Sequence, residues 1–337
     1  VDVRLVRTSQ FVSARHHFTG SREHNTQLRE LAKGRGYRLN EYGLFRDDGQ
    51  LVPWSSEAEL YHHLGLQYIP PELREGAGEL AAARQGRLPD LVTLEDVRGD
   101  LHLHTDWSDG AATLSEMIAA ARERGYRYIA ISDHSQSLVV AQGLTEERLR
   151  KQGELIRQYN AAAGDFRVLH SIEVDILPDG TLDFPDELLA QLDLVTASVH
   201  SNFRQDAETM TARILRAMEN PHVDVIGHLT GRLLNRRDPY AVDIDRIIAK
   251  AAATGTALEL NASPDRLDID AVTARKARAA GVWVVINTDA HAVRSLEDMR
   301  WGIYQARRGW LTPADIVNCM EVEELLAFLR RPKAERR

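Results

Sequence analysis

The chain predicts an α/β fold, a parallel βα barrel over residues 99–330 behind a small α+β module. Three observations carry that prediction. From Asp100 onward, short apolar runs alternate with helix-length segments about seven times. A His, Asp or Glu stands at or just past the C-terminal end of these runs, a placement that a chance scatter of 13 histidines would not favour; strand C-termini are where parallel α/β folds gather their active groups. Gly125, Gly255 and Gly281 fall where helices should end.

In order along the chain, residues 1–66 read as mixed α+β. A strand-like alternation opens at Val1–Val6, a polar helix spans about 21–35, and Asn40–Phe45 suggests another strand before the turn Asp47-Asp48-Gly49. Val1 stands in mid-pattern, which reads as a fragment, a processed chain or a truncated one. Residues 67–98, with Pro70-Pro71, Gly76, Gly78, Gly86 and Pro89, read as a linker holding a short alanine-rich helix. In 99–330, helices at about 113–124, 146–163, 208–219, 240–254, 270–280 and 295–308 separate the apolar runs. Residues 331–337 form a basic tail.

The 337 residues, 43% hydrophobic and 27% charged, suit a globular protein of one or two domains. No apolar run approaches ~18 residues, and no signal-peptide pattern opens the chain, so neither a membrane partner nor export is expected. The single cysteine, Cys319, excludes an internal disulfide and suits a reducing, cytoplasmic setting. Net charge is −8, yet residues 1–46 hold nine Lys and Arg against four Asp and Glu, and the last eight residues hold five basic side chains. Basic ends flanking an acidic middle suit a phosphate-backbone substrate and divalent cations. The same ends, without a large apolar patch, favour a monomer.

His102 and His104, at i and i+2 in Gly99-Asp100-Leu101-His102-Leu103-His104, share one face of a strand, and Asp109 follows in the turn. His134 follows the run Tyr128–Ile131, Glu173 follows Val168–Ile172, and His200 ends Leu194–Val199. His228 ends Val223–Gly227, and Asp289 and His291 follow Val282–Thr288. Imidazole and carboxylate donors together suit Zn²⁺, Mn²⁺ or Fe²⁺. Nine donors exceed one ion's need; three ions, one carboxylate bridging, would use them all. Neither a nucleophilic cysteine motif nor Gly-x-Ser-x-Gly is present, so hydroxide generated at the metals is the expected nucleophile on phosphorus. Arg204, Arg232 and Arg236 follow the strands that carry His200 and His228. They are candidates to hold phosphate or DNA, Arg232 foremost, and each reads equally as a solvated loop charge. His170 is left unassigned, and Trp107 reads as packing rather than a base-stacking platform.

The pattern His-x-His-Thr-x-x-Ser-Asp-Gly, Ser-Asp-His, Ile-Glu-Val, Ser-Val-His, Gly-His and Thr-Asp-Ala-His resembles the polymerase and histidinol phosphatase (PHP) superfamily over roughly 99–320. The resemblance implies a distorted seven-stranded βα barrel with a trinuclear centre. It also implies a pairing of ligands: His102, His104, Glu173 and Asp289 on one ion; Glu173, His200 and His228 on a second; Asp109, His134 and His291 on the third. His102, His104, Glu173 and Asp289 would carry the catalysis. Residues 1–66 resemble the palm end and thumb of a family X DNA polymerase, through Val1–Val6, Phe18-Thr19-Gly20-Ser21, Asn25, Arg29 and Asn40-Glu41-Tyr42. Asp2 matches the third palm carboxylate, Phe18 and Asn25 match the nucleotide pocket, and Arg29 matches a template contact. His17 departs from the family's tyrosine.

The resemblance implies a metal-dependent DNA phosphodiesterase, a 3′→5′ exonuclease of repair and end processing, acting on single-stranded or gapped DNA 3′ ends. Its polymerase partner domains, with their Mg²⁺ centre, would lie N-terminal to this chain. With the paired palm carboxylates absent, the chain as given is not expected to polymerise. Other readings of the same centre are a histidinol-phosphatase-like phosphomonoesterase, an abasic-site endonuclease, and a non-catalytic platform for a polymerase.

Overall fold

A computed structural model describes residues 3–162 and 164–336. The chain divides into two compact units between Asp90 and Leu91. Asp2, the palm position expected from the sequence, lies outside the described residues.

The first unit is built from helices α1 (Phe11–Thr19) and α2 (Arg22–Lys33), the antiparallel strands β1 (Tyr37–Asn40), β2 (Gly43–Arg46) and β3 (Leu51–Val52), and helices α3 (Glu57–His63) and α4 (Glu79–Arg84). Ser21 starts α2 by accepting the His24 N–H. Leu28, Ala32, Leu44, Leu60 and Leu64 are fully buried. Two expectations change. Val3–Arg7 forms no strand, since the alternation finds no neighbouring strand among the described residues to pair with. Asn40–Phe45 is a hairpin: Asn40 Oδ1 accepts the N–H groups of Tyr42 and Gly43 and turns the chain back. The stretch read as a linker carries α4 and a buried ion pair, Arg74 to Glu57 at 2.6 Å.

The second unit is a seven-stranded parallel sheet in the order β10-β9-β8-β7-β6-β5-β4, curled into a nearly closed barrel. Its strands are β4 (Gly99–Leu103), β5 (Tyr128–Ile131), β6 (Arg167–Asp175), β7 (Leu194–Ser198), β8 (Val225–Ile226), β9 (Ala257–Asn261) and β10 (Val284–Asn287). Around it lie α5 (Leu114–Glu123), α6 (Glu146–Ala162), the short α7 (Asp186–Leu189), α8 (Ala207–Glu219), α9 (Ile244–Thr254), α10 (Ala271–Ala279), α11 (Met299–Arg308) and α12 (Val322–Arg330). The helices start where the sequence supplies caps: Thr113 with Glu116, Asp206, Asp243 and Asp270 each satisfy first-turn N–H groups. Gly255, at φ 74°, ends α9 in the left-handed conformation that side chains resist.

The seam between β4 and β10 is closed largely by side chains. Asn318 donates to the carbonyls of Gly99 and Ile286 at 2.9 and 2.6 Å, and Asn287 Oδ1 accepts the Leu101 N–H. Inside the barrel, Leu101, Tyr128, Leu169, Leu194, Val225 and Val285 fill the N-terminal end. The C-terminal end is left to polar groups. The basic tail is folded in rather than solvated. Lys333 donates to the carbonyls of Met218, Asn220 and Val223, and Arg336 pairs with Asp224 at 2.5 Å. Asp224 precedes β8, so this cluster sits at the end of the strands opposite the histidines.

Candidate metal centre

All nine donor residues expected from the sequence converge at the C-terminal ends of the strands. His102, within β4, and His104, just past its end, point the same way, as the two-residue period requires, with ring centroids 5.1 Å apart. Asp289 and His228 leave their strands with φ of 54° and 22°, a turn of the backbone uncommon for either residue. Glu173 is the centre of the group. Its Oε1 faces His228 Nε2 at 2.9 Å and His200 Nε2 at 3.3 Å. Its Oε2 faces His134 Nδ1 at 2.9 Å, His102 Nε2 at 3.4 Å and His104 Nε2 at 3.6 Å. Asp289 Oδ1 lies 3.1 Å from His104 Nε2, and Asp109 Oδ1 lies 3.3 Å from His291 Nε2 and 3.6 Å from His134 Nε2.

Groups outside the nine hold these donors; of them the sequence pointed only to Asp133, as a residue that orients a ligand or a backbone amide. His102 Nδ1 lies 2.7 Å from Glu259 Oε1, with both side chains fully buried. Because a carboxylate accepts there, the proton stays on Nδ1 and the Nε2 lone pair faces inward. Asp175 does the same for His200, at 2.5 Å from Nδ1. Asn261 Nδ2 donates to Asp289 Oδ2 at 3.0 Å, which leaves Oδ1 to the histidines. Asp133 accepts from Thr105 and Ser108 and so braces the loop that leads to Asp109.

The residues present fit bound cations. His102 Nε2, both nitrogens of His104, His134 Nδ1, His228 Nδ1 and Glu173 Oε2 are buried without a hydrogen-bond partner. Buried nitrogens and carboxylate oxygens left unpaired in this way are costly unless a cation lies among them. Three overlapping groups have donor atoms close enough to share an ion: His104, Asp109, His134 and His291; His102, His104 and Asp289; His134, Glu173 and His200. Burial, then His291 and His134, lowers His104 to about 3, so its ring is a neutral donor. Burial raises the Glu173 carboxyl, but His200, His102 and His134 outweigh it and hold the group well below the usual carboxylate range.

The arginines separate. Arg232 turns away from the centre, donating Nε to the Arg266 carbonyl at 2.8 Å and Nη2 to that of Leu267. Arg236 is 68% exposed beside Asp265, and Arg204 is exposed. Arg266, unremarked in the sequence, lies with Nε 3.5 Å from Asp289 Oδ2 and with Nη1 buried and unpartnered. In the first unit, Phe18 is half exposed, and Asn25 and Arg29 are joined through His17, to its carbonyl at 2.8 Å and its Nδ1 at 3.0 Å.

A signal existed for two of the groups missed. Asp175 lies two residues past Glu173 on the same strand face, and Glu259 is a carboxylate inside the apolar run Ala257–Leu260. Arg266 carried none.

Residues 14–75 match the DNA polymerase beta thumb, and residues 100–263 match the PHP domain. The chain is 47% identical over 332 residues to the DNA polymerase/3′-5′ exonuclease PolX of Bacillus subtilis (strain 168), covering 98% of this chain and 58% of that protein. It is 28% identical over 246 residues to a probable phosphatase of Thermoanaerobacter sp. (strain X514), covering 69% of this chain and 95% of that one. The chain thus spans little more than half of the first relative and nearly all of the second. Among solved structures, the histidinol phosphate phosphatase of Lactococcus lactis, complexed with zinc, L-histidinol and phosphate, aligns at 17% identity and a TM-score of 0.45, over 62% of this chain and 93% of that one.

Proposed function

The chain belongs to the PHP-containing family X DNA polymerases, and from that membership we propose that its barrel is a metal-dependent phosphodiesterase that removes nucleotides from DNA 3′ ends. Glu173 carries the reading: a fully buried carboxylate whose two oxygens face two sets of histidines is the bridge a multinuclear centre needs. The attached thumb, and the exonuclease in the Bacillus relative's name, support DNA as substrate.

In this reading His102, His104, Glu173 and Asp289 hold one ion. Glu173, His200 and His228 hold a second, and Asp109, His134 and His291 a third. Zn²⁺, Mn²⁺ and Fe²⁺ all suit these donors. Bound there, such ions polarise a phosphoryl oxygen and bring water ionisation towards neutral pH. Glu259 and Asp175 keep the His102 and His200 lone pairs turned inward. Arg266, with one guanidinium nitrogen still unpartnered, takes the phosphate role first given to Arg232, and Arg232 positions the loop that carries it. The substrate enters beside Asp109 and His291, whose side chains are 35% and 40% exposed while the rest of the cluster is nearly sealed.

Digestion of 5′-labelled single-stranded DNA with Mn²⁺, with a free or a blocked 3′ end, tests the reading. A descending ladder from the free end alone, lost in Glu173→Ala, is expected. Release of phosphate from a small monoester with no DNA cleavage would replace it with the phosphatase reading.

A further inference from the structure

The two most exposed large apolar side chains of the barrel unit are neighbours, Val139 at 79% and Val140 at 91%. They form the tip of the loop between β5 and α6, within the short turn Val139–Ala141. The loop leaves from His134 and returns at Leu144, whose N–H donates to the His134 carbonyl at 2.7 Å. Val139 is thus five residues from a member of the metal cluster, no more than about 18 Å along the chain.

This loop is braced, so the exposure is built in. Ser135 Oγ and the Ser137 N–H donate to Asp183 at 2.7 and 2.8 Å, and Gln136 Nε2 donates to the Asp183 carbonyl at 2.7 Å. Ala141 and Leu144 are buried beneath the tip. At Gly143 a Cβ would come within 1.9 Å of the Ser135 carbonyl oxygen, so the two arms of the loop pack backbone to backbone. Arg148 ties the loop to its neighbour across the mouth, donating to the carbonyls of Gln142 and of Trp107, two residues before Asp109.

Two adjacent valines held out by a braced loop that starts at His134 offer a small apolar face on the same loop as a member of the metal cluster. Two valines fall far short of the roughly 800 Å² that a stable protein interface takes from each partner. They suit the face of a single nucleobase, against which small apolar wedges insert in other DNA-binding proteins. We propose that Val139 and Val140 form a wedge against which a base next to the scissile 3′ linkage unstacks, so that the centre selects frayed or single-stranded ends. The proposal rests on the DNA reading above.

The test compares the full chain with Val139→Ser/Val140→Ser in Mn²⁺, on single-stranded DNA and on bis(4-nitrophenyl) phosphate, which has no base and reports the centre by itself. A second readout is the fluorescence of 2-aminopurine placed next to an uncleavable methylphosphonate 3′ linkage. A fall of about tenfold or more in the DNA-to-ester ratio of kcat/KM, with loss of the fluorescence rise that the unchanged chain produces, is expected. If the unchanged chain digests DNA and the variant matches it in both readouts, the wedge is wrong and the DNA reading stands. Ester hydrolysis by the unchanged chain without DNA cleavage would overturn the DNA reading and the wedge with it.

Discussion

At the scale of single residues, orientation decides which groups can act. His102 and His104 were legible because a strand's two-residue period puts them on one face whatever the rest of the chain does. Arg232 and Arg266 were not separable in that way. Both are loop arginines, and only the packing of the 228–240 loop on the 263–268 loop turns one guanidinium to backbone carbonyls and the other to Asp289. Arg266→Ala is expected to lower kcat/KM for DNA by roughly 10- to 100-fold, the loss of a charge-assisted hydrogen bond worth about 1.5–3 kcal/mol. Metal content measured on the same variant should stay unchanged. A parallel loss of metal would make Arg266 a support for Asp289 instead.

At the scale of elements, β6 and α6 meet through an unusual pair. His170 points outward from β6 and lies against Gly153 in the middle of α6, where an added Cβ would stand 2.5 Å from the ring. Gly153→Ala gains about 1 kcal/mol of helix propensity, but overpacking of a buried contact costs about 1–3 kcal/mol, so net destabilisation is expected. Urea midpoints check this, and Gly153→Ala/His170→Ala should recover the loss. A higher midpoint for Gly153→Ala alone would show that the helix yields. The same burial lowers His170 from 6.5 to about 4. Above pH 6.5 the ring is neutral in both states and contributes nothing to pH dependence. As pH falls from there towards 4, the unfolded chain takes up a proton that the folded chain refuses, and roughly 3 kcal/mol of stability is lost. Thermal unfolding between pH 7 and 4, without metal, should therefore fall less steeply in His170→Gln. Equal slopes would remove His170 as a source of the acid sensitivity. The sequence left His170 open because nothing local told an outward strand position from an inward one.

At the scale of the whole molecule, the barrel's two ends divide the work. Apolar side chains and the folded-in tail secure the N-terminal end, while the C-terminal end gathers buried histidines and carboxylates that are poorly satisfied by one another. Ligand binding to the folded state alone should offset that cost. Mn²⁺ or Zn²⁺ at 100 times its Kd is expected to stabilise the unit by about 2.7 kcal/mol per independent site, and chelation should reverse it. Calorimetry with and without chelator checks this, and an unchanged Tm would count against cations at the centre.

The sequence by itself determined the alternation of strands and helices, the glycines that end three of the helices and the nine donors at the strand ends, because each depends on residues within a few positions of one another. Tertiary structure alone decided which carboxylates orient those donors, which arginine faces them, how Asn318 closes the seam and where the tail goes. Those outcomes join distant groups, as His102 joins Glu259 across 157 residues. No local period encodes which loop will pack on which.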